Sequence, residues 1–437
     1  MSRRGLPVDG RRRSSSVPGS VGVVLAPPSP WRTLLGTPFL RAAFIALFIS
    51  GIGVSSTTPQ MTLFLVDDLG SSVPVAGLYY LVNLAAPLAG YWLGGLSDRQ
   101  SDRLLLFRVC ALVGGVGWLA MALADRIWMP FVIGAVALSI SGASMGQLFA
   151  AARDELSRRQ SPGADRVIAN LRMAFTAGWI IGPVVGSWFG AQFGLRPLLL
   201  LVAALTVGQI LPLGRLRVPR YVGSLPTSGP VDAASTPSLA PISRRAGSRL
   251  PLFAFVGCCV LVMNGDTIKF AYLPLYMANQ LGVSDTVRGA VIAVQPLLEF
   301  ALMPVFARLA EMFTPIRMVT VGAVFGVLAN VAYATSTHVA GLFVGQVLMS
   351  ALWAAIAGLG VTVAQQLYPL GVGLASSVFM SSIALSGGLG GALGGLGTAL
   401  LGMPHVFYVS AVLGVGGVIG LVLTERKFRP SGSAFVL

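Results

Sequence analysis

An all-α integral membrane protein, with twelve transmembrane helices in two six-helix bundles, is predicted from three features of this 437-residue chain. The composition is 55% hydrophobic and 10% charged, with a mean hydropathy of +0.80, which leaves too few charges to cover a water-soluble globule of this size. Apolar runs of about 20 residues, the length a helix needs to cross the hydrocarbon core, recur along the whole chain. A polar stretch from Pro212 to Arg249, rich in Pro, Ser, Gly, Thr and Arg, separates six such runs from six more.

Residues 1–37 carry Arg3, Arg4 and Arg11 to Arg13 among Pro, Ser and Gly, and are expected to form a disordered basic cytoplasmic tail. The first bundle is expected over 38–214, with spans near 40–65, 73–96, 104–124, 128–151, 167–190 and 195–214. A cytoplasmic linker follows at 215–249. The second bundle is expected over 250–425, with spans near 250–278, 286–308, 317–336, 339–364, 372–400 and 404–424, and a short cytoplasmic tail at 426–437.

Lys and Arg outnumber Asp and Glu by 30 to 15. A nucleic-acid partner is not expected, because a basic protein of that kind does not bury most of its length in lipid. The charges report topology instead. With both termini in the cytoplasm, only Arg126, Arg196 and Arg288 fall on the outer side, as the positive-inside rule requires. The Arg-rich, Lys-poor balance fits a GC-rich bacterial genome and hence a bacterial plasma membrane.

Cys110, Cys258 and Cys259 lie at or within apolar runs and read as packing thiols. His338 and His405 stand at loop edges without acidic or thiol neighbours, so no metal or cofactor is expected. No catalytic triad or phosphate-binding loop is present in the sequence, which argues against an enzyme. The halves echo each other: Leu69-Gly70, Gly77 and Asn83 recur in the same order as Leu281-Gly282, Gly289 and Gln295, and Asp98 has an acidic counterpart in Glu311. Such a repeat of six-helix halves marks transporters whose two bundles rock about a central site.

Gly94, Leu96, Asp98, Arg99 and Arg103 resemble the loop signature between the second and third helices of the major facilitator superfamily, with Ser101 and Asp102 in place of its later Gly and Arg. A weaker copy, Ala307 to Phe313, follows the eighth span and runs into Thr314-Pro315. In the family the loop acid braces a helix end from the other half, so the resemblance implies that Asp98, Arg99 and Arg103 act in gating. Gly178, Gly182-Pro183 and Gly186 place small residues at four-residue spacing on the fifth span, permitting close helix approach, and resemble the antiporter motif of exporters. Thr58 to Leu65, Leu148 to Glu155, Leu171-Arg172 before Trp179 to Pro183, and Leu298-Glu299 are similar to the sugar efflux transporter family. That resemblance implies a secondary transporter exporting small sugars or glycosides.

Charged residues inside spans are costly and tend to line a cavity or pair. Here they are Arg172, Asp266, Lys269 and Glu299. Asp266 and Lys269 stand three apart on one helical face; either they neutralise each other structurally or they serve binding or coupling. Arg172 and Glu299 fall in the cytoplasmic half and could meet as a gate; Glu299 is the first choice for a coupling proton and Asp266 the second. A sugar site needs polar groups beside an aromatic platform. Candidates are Gln60, Tyr80, Asn83, Gln147 and Trp179 in the first half and Asn264, Tyr272, Gln295, Gln346 and Trp353 in the second. The rival expectation is a multidrug/proton antiporter of the same fold, though the first span lacks an acid before Asp67. A monomer in contact with membrane lipid is expected in either case.

Overall fold

A computed structural model describes residues 30–97, 100–161, 164–219 and 249–427. After a short helix at Pro30–Gly36, twelve helices are long and apolar enough to span a membrane. They are α1 Pro38–Thr57, α2 Val73–Ser97, α3 Arg103–Ala122, α4 Trp128–Arg158, α5 Arg166–Phe193 and α6 Leu195–Leu213, then α7 Leu250–Asn279, α8 Asp285–Met312, α9 Pro315–Thr335, α10 Val339–Leu367, α11 Leu374–Leu401 and α12 Phe407–Lys427. The protein is a multi-pass membrane protein. An even number of spans brings the start of α1 and the end of α12 to one side, called the tail side below; the other is the far side.

Local chemistry explains where these helices begin, end and bend. The first apolar run does not continue as one helix to residue 65: α1 ends at Thr57, because Pro59 has no N–H to donate and disfavours helix at the residue before it. A short helical turn, Met61–Leu63, and a wider turn, Phe64–Asp68, then carry the chain along the far side. Gly70 (φ +68°) and Gly282 (φ +60°) turn the chain in the left-handed region between α1 and α2 and between α7 and α8, so the repeat seen in sequence recurs as the same turn. Thr314 caps α9 by accepting from the Arg317 N–H at 3.4 Å, with Pro315 at the first helical position. α4 runs on to Arg158, past the apolar residues, and Glu155 near its end pairs with Arg159 at 2.5 Å and with Arg158.

Within the first half, α1 packs along α5 and against α6, and α3 lies against α4 and α6. Within the second, α7 lies between α11 and α12, and α10 packs on α8 and α9. Most of the contact between the halves is made by two helix pairs, α5 with α8 and α2 with α11, and α7 adds smaller contacts to α2 and to the Met61–Leu63 turn. The α2–α11 contact is concentrated in residues 73–84 of α2, its far-side half, and is sparse over 85–97. On the tail side, Gly90, Gly94 and Gly95 of α2 and Gly142 and Gly146 of α4 have nothing within 4 Å of where a side chain would start. The bundles meet on the far side and part toward the tail side.

Close approach on the α1–α5 face requires glycine. A Cβ on Gly178 would stand 2.5 Å from the Phe48 carbonyl oxygen, and one on Gly186 would stand 2.2 Å from that of Ser56. The hydroxyls of Ser55 and Ser56 donate across this contact to the Gly178 and Gly182 carbonyls at 3.3 and 3.0 Å. The four-residue glycine spacing is therefore spent inside one bundle, where it binds α1 to α5.

At the tail side the start of the connection between halves is docked. Asp102 accepts from the N–H groups of Leu104 at 3.0 Å and Val218 at 3.1 Å, while the Arg103 N–H donates to the Val218 carbonyl at 3.2 Å. Arg108 donates to the Gly214 carbonyl at 2.9 Å and the Leu216 carbonyl at 2.6 Å, and Val218 is buried. The Arg103 side chain reaches Ser97 at 2.7 Å and Asp154 at 2.9 Å, tying the foot of α2 to α4. Asp98 and Arg99 lie outside the described residues.

Candidate functional site between the bundles

Between the halves lies a cavity of about 420 Å³. Such a volume is in the range of roughly 300–1,000 Å³ usual for small-molecule sites. The first half contributes Thr58 beyond α1, Tyr80 and Asn83 from α2, and Phe175, Thr176, Trp179 and Pro183 from α5. The second contributes Met263, Asp266, Thr267 and Phe270 from α7, Ile292, Gln295, Pro296 and Glu299 from α8, Trp353 from α10, and Ile383, Ser386 and Gly387 from α11.

One wall is aromatic. Trp179 meets Phe270 edge-on at a ring separation of 6.2 Å, across the boundary between halves, and Phe175 follows at 6.4 Å. Trp179 and Trp353 line the cavity, and their indole N–H groups are buried without a protein partner. The polar edge is acidic. Asp266 and Glu299 line the cavity, one on each of two adjacent helices.

Lys269 is behind this edge and fully buried. Its ammonium donates to Asp266 at 2.5 Å and to Gln295, and it lies 3.9 Å from the centre of the Phe270 ring. Asp266 and Lys269 therefore form an ion pair with a third, amide partner, a satisfied arrangement for charge away from water. Among the described residues no cation lies within 4.0 Å of Glu299. The Arg172 guanidinium instead stands over the Phe149 ring, 5.7 Å from its centre, and its side chain is exposed.

Far-side closure above the cavity is made of backbone and rings. A Cβ on Gly391 would be 2.9 Å from Tyr80 Cβ, and one on Gly395 would be 2.8 Å from the Pro74 carbonyl. Tyr272 fills the space beside Gly77 and Gly394. The Tyr80 hydroxyl donates to the Thr58 carbonyl at 3.2 Å.

Of the residues singled out for binding, Tyr80, Asn83, Trp179, Gln295 and Trp353 line the cavity. Gln60 does not: its amide donates to the Ser187 hydroxyl at 2.8 Å, joining the far-side ends of α1 and α5. Gln147, Asn264, Tyr272 and Gln346 are buried away from the lining. Asn264 donates to the Leu261 carbonyl of its own helix, and Tyr272 belongs to the far-side closure. Both polar atoms of the Gln346 amide are buried without a protein partner inside the second bundle. Phe175, Thr176, Thr267, Phe270 and Ser386 line the cavity without having been singled out. Phe270 was legible as the neighbour of Lys269, and Phe175 and Thr176 as one turn before Trp179; Ser386 carried no signal of its own.

The sequence matches the profile of the Major Facilitator Superfamily over residues 43–265 and 254–435. The chain belongs to the Major Facilitator Superfamily. This superfamily member is a membrane transporter rather than an enzyme. It is 24% identical to sugar efflux transporter A of Escherichia coli over 88% of this chain and 95% of that one. It is 25% identical to sugar efflux transporter A of Dickeya chrysanthemi over 88% and 96%. Multidrug resistance protein MdtG of Escherichia coli is 27% identical, but over 41% of this chain and 43% of its own. Among solved structures, a variant of the nucleoside transporter NupG superposes with a TM-score of 0.71 at 15% identity, covering 90% of this chain and all of that one. A bacterial homologue of the human lysosomal transporter Spinster, inward-facing and occupied, gives 0.68 at 16% identity over 92% and 98%. The superfamily fold thus accounts for the two bundles and the cavity between them.

Proposed function

We propose that this transporter exports small sugars or glycosides across the bacterial plasma membrane by alternating access, in exchange for protons carried by Glu299. The cavity carries the reading: it pairs an aromatic wall with amide, hydroxyl and carboxylate groups, which suits a ring with apolar C–H faces and a polar rim. Relatives bearing sugar efflux names over most of the chain support it, whereas the multidrug relative covers less than half. The arginine distribution supports a cytoplasmic tail side, so the cavity as described opens toward the compartment from which an exporter loads. The working unit in this reading is a monomer. In the opposite, tail-closed arrangement, Arg172 and Glu299 are the groups that approach each other, with Asp98, Arg99 and Arg103 as gating residues.

The test is efflux of radiolabelled glucosides from preloaded cells, with and without an uncoupler, for the wild type and Glu299→Gln. Loss of glucoside efflux in the variant and on uncoupling is expected. Efflux of a cationic dye without glucoside efflux would overturn the sugar reading in favour of the multidrug one.

A further inference from the structure

The cavity holds two carboxylates and no cationic side chain in its lining. Lys269, the one ammonium close by, is behind the wall, with Asp266, Gln295 and the Phe270 ring already around it. That accounts for one carboxylate. Glu299 is the second, half-buried, on the facing turn of α8, with no ion pair among the described residues. Arg172 could have offset it from α5 but is held over Phe149.

A half-buried carboxylate that faces the cavity beside the Gln295 amide, with no ion pair of its own among the described residues, favours a ligand that brings positive charge. The surroundings favour the same ligand. Trp179, Phe270, Phe175 and Trp353 line the space around it, and aromatic faces attract ammonium groups when water is excluded. Asn83, Gln295, Thr176 and Ser386 remain to meet hydroxyls. We infer that the preferred cargo is an amine-bearing glycoside, with its ammonium on Glu299 and its sugar ring against the Trp179–Phe270 wall. The inference rests on the sugar reading of the cavity and narrows it to cationic sugars. Cargo and proton then compete for one carboxylate, so that release of the first admits the second, and exchange needs no further coupling group.

Two glycosides that differ only in the charged group provide the test: 2-aminoethyl β-glucoside and 2-hydroxyethyl β-glucoside, each radiolabelled, bound at neutral pH to the purified full chain in lipid nanodiscs. The wild type should bind the amine at least about tenfold more tightly, Glu299→Asp should keep that ratio, and Glu299→Gln should bring it below about threefold. Equal or tighter binding of the hydroxyethyl compound by the wild type would overturn the inference and leave the sugar reading standing, as would an unchanged ratio in Glu299→Gln. Binding of neither glycoside would overturn both.

Discussion

Lys269 has no contact with solvent, and three groups converge on its ammonium. Replacing it with Met leaves Asp266 as a buried charge without its partner, at a cost of about 3–5 kcal/mol. A matching fall in the thermal midpoint of the detergent-solubilised protein is expected for Lys269→Met. Partial recovery is expected when Asp266→Asn is added, since the double variant removes both charges. The i, i+3 spacing of Asp266 and Lys269 was legible from the sequence because it is local. That Gln295 is the third partner was not, since it depends on how α8 rotates against α7. The same limit explains Asn264, Gln147 and Gln346. A polar residue within a span is easily read, but successive helix positions turn through about 100°, and only tertiary packing decides which of them faces the cavity.

At the scale of elements, the α1–α5 contact is set by main chain rather than by interlocked side chains. Gly178→Val should therefore separate the helices or twist one against the other, costing roughly 1–3 kcal/mol and lowering both melting temperature and transport. The glycine spacing announced this contact, though not that its partner would be α1. A second expectation concerns the far-side turn after α1. Asp67 still reaches solvent, yet partial burial raises its carboxyl above the usual 3.8; neighbouring Asp68 raises it further, and Arg288 of α8 pulls the other way. Arg288 also pairs with Asp285 of its own helix. An acid with a raised value in the far-side-closed form takes up a proton more readily there than when fully solvated. Lowering pH from neutrality toward the ordinary carboxylate range should therefore shift the population toward the far-side-closed form, and Asp67→Asn should remove that response. Distances between spin labels on the far-side loops at Asp125 and Thr337, measured across this pH range, would show the shift or its absence.

For the whole molecule, twelve spans and a division into halves were readable from hydropathy and from the polar break after α6, because lipid forces the backbone into helices of fixed length. The break at Pro59 was also on the page as a proline, and its effect on α1 follows from the missing donor. Which halves of the helices touch was not readable, since either end of the α2–α11 pair is apolar enough to close. That closure yields a further prediction: Gly391→Val places methyl groups where Tyr80 and the Gly77 carbonyl already stand, and should wedge the far side apart. The same pair of spin labels should report longer distances in this variant. Distances unchanged from wild type would show that the far-side contact yields without moving the bundles. The segment fastened at Asp102, Arg103 and Arg108 has a mechanical consequence. Tension applied at Val218 is delivered not to the end of α6 but to the foot of α3, and through the Arg103 guanidinium to Asp154 on α4. The chain that leaves α6 is thus anchored on α3 and, through Arg103, on α4, and a pull on it reaches those two helices before the end of α6.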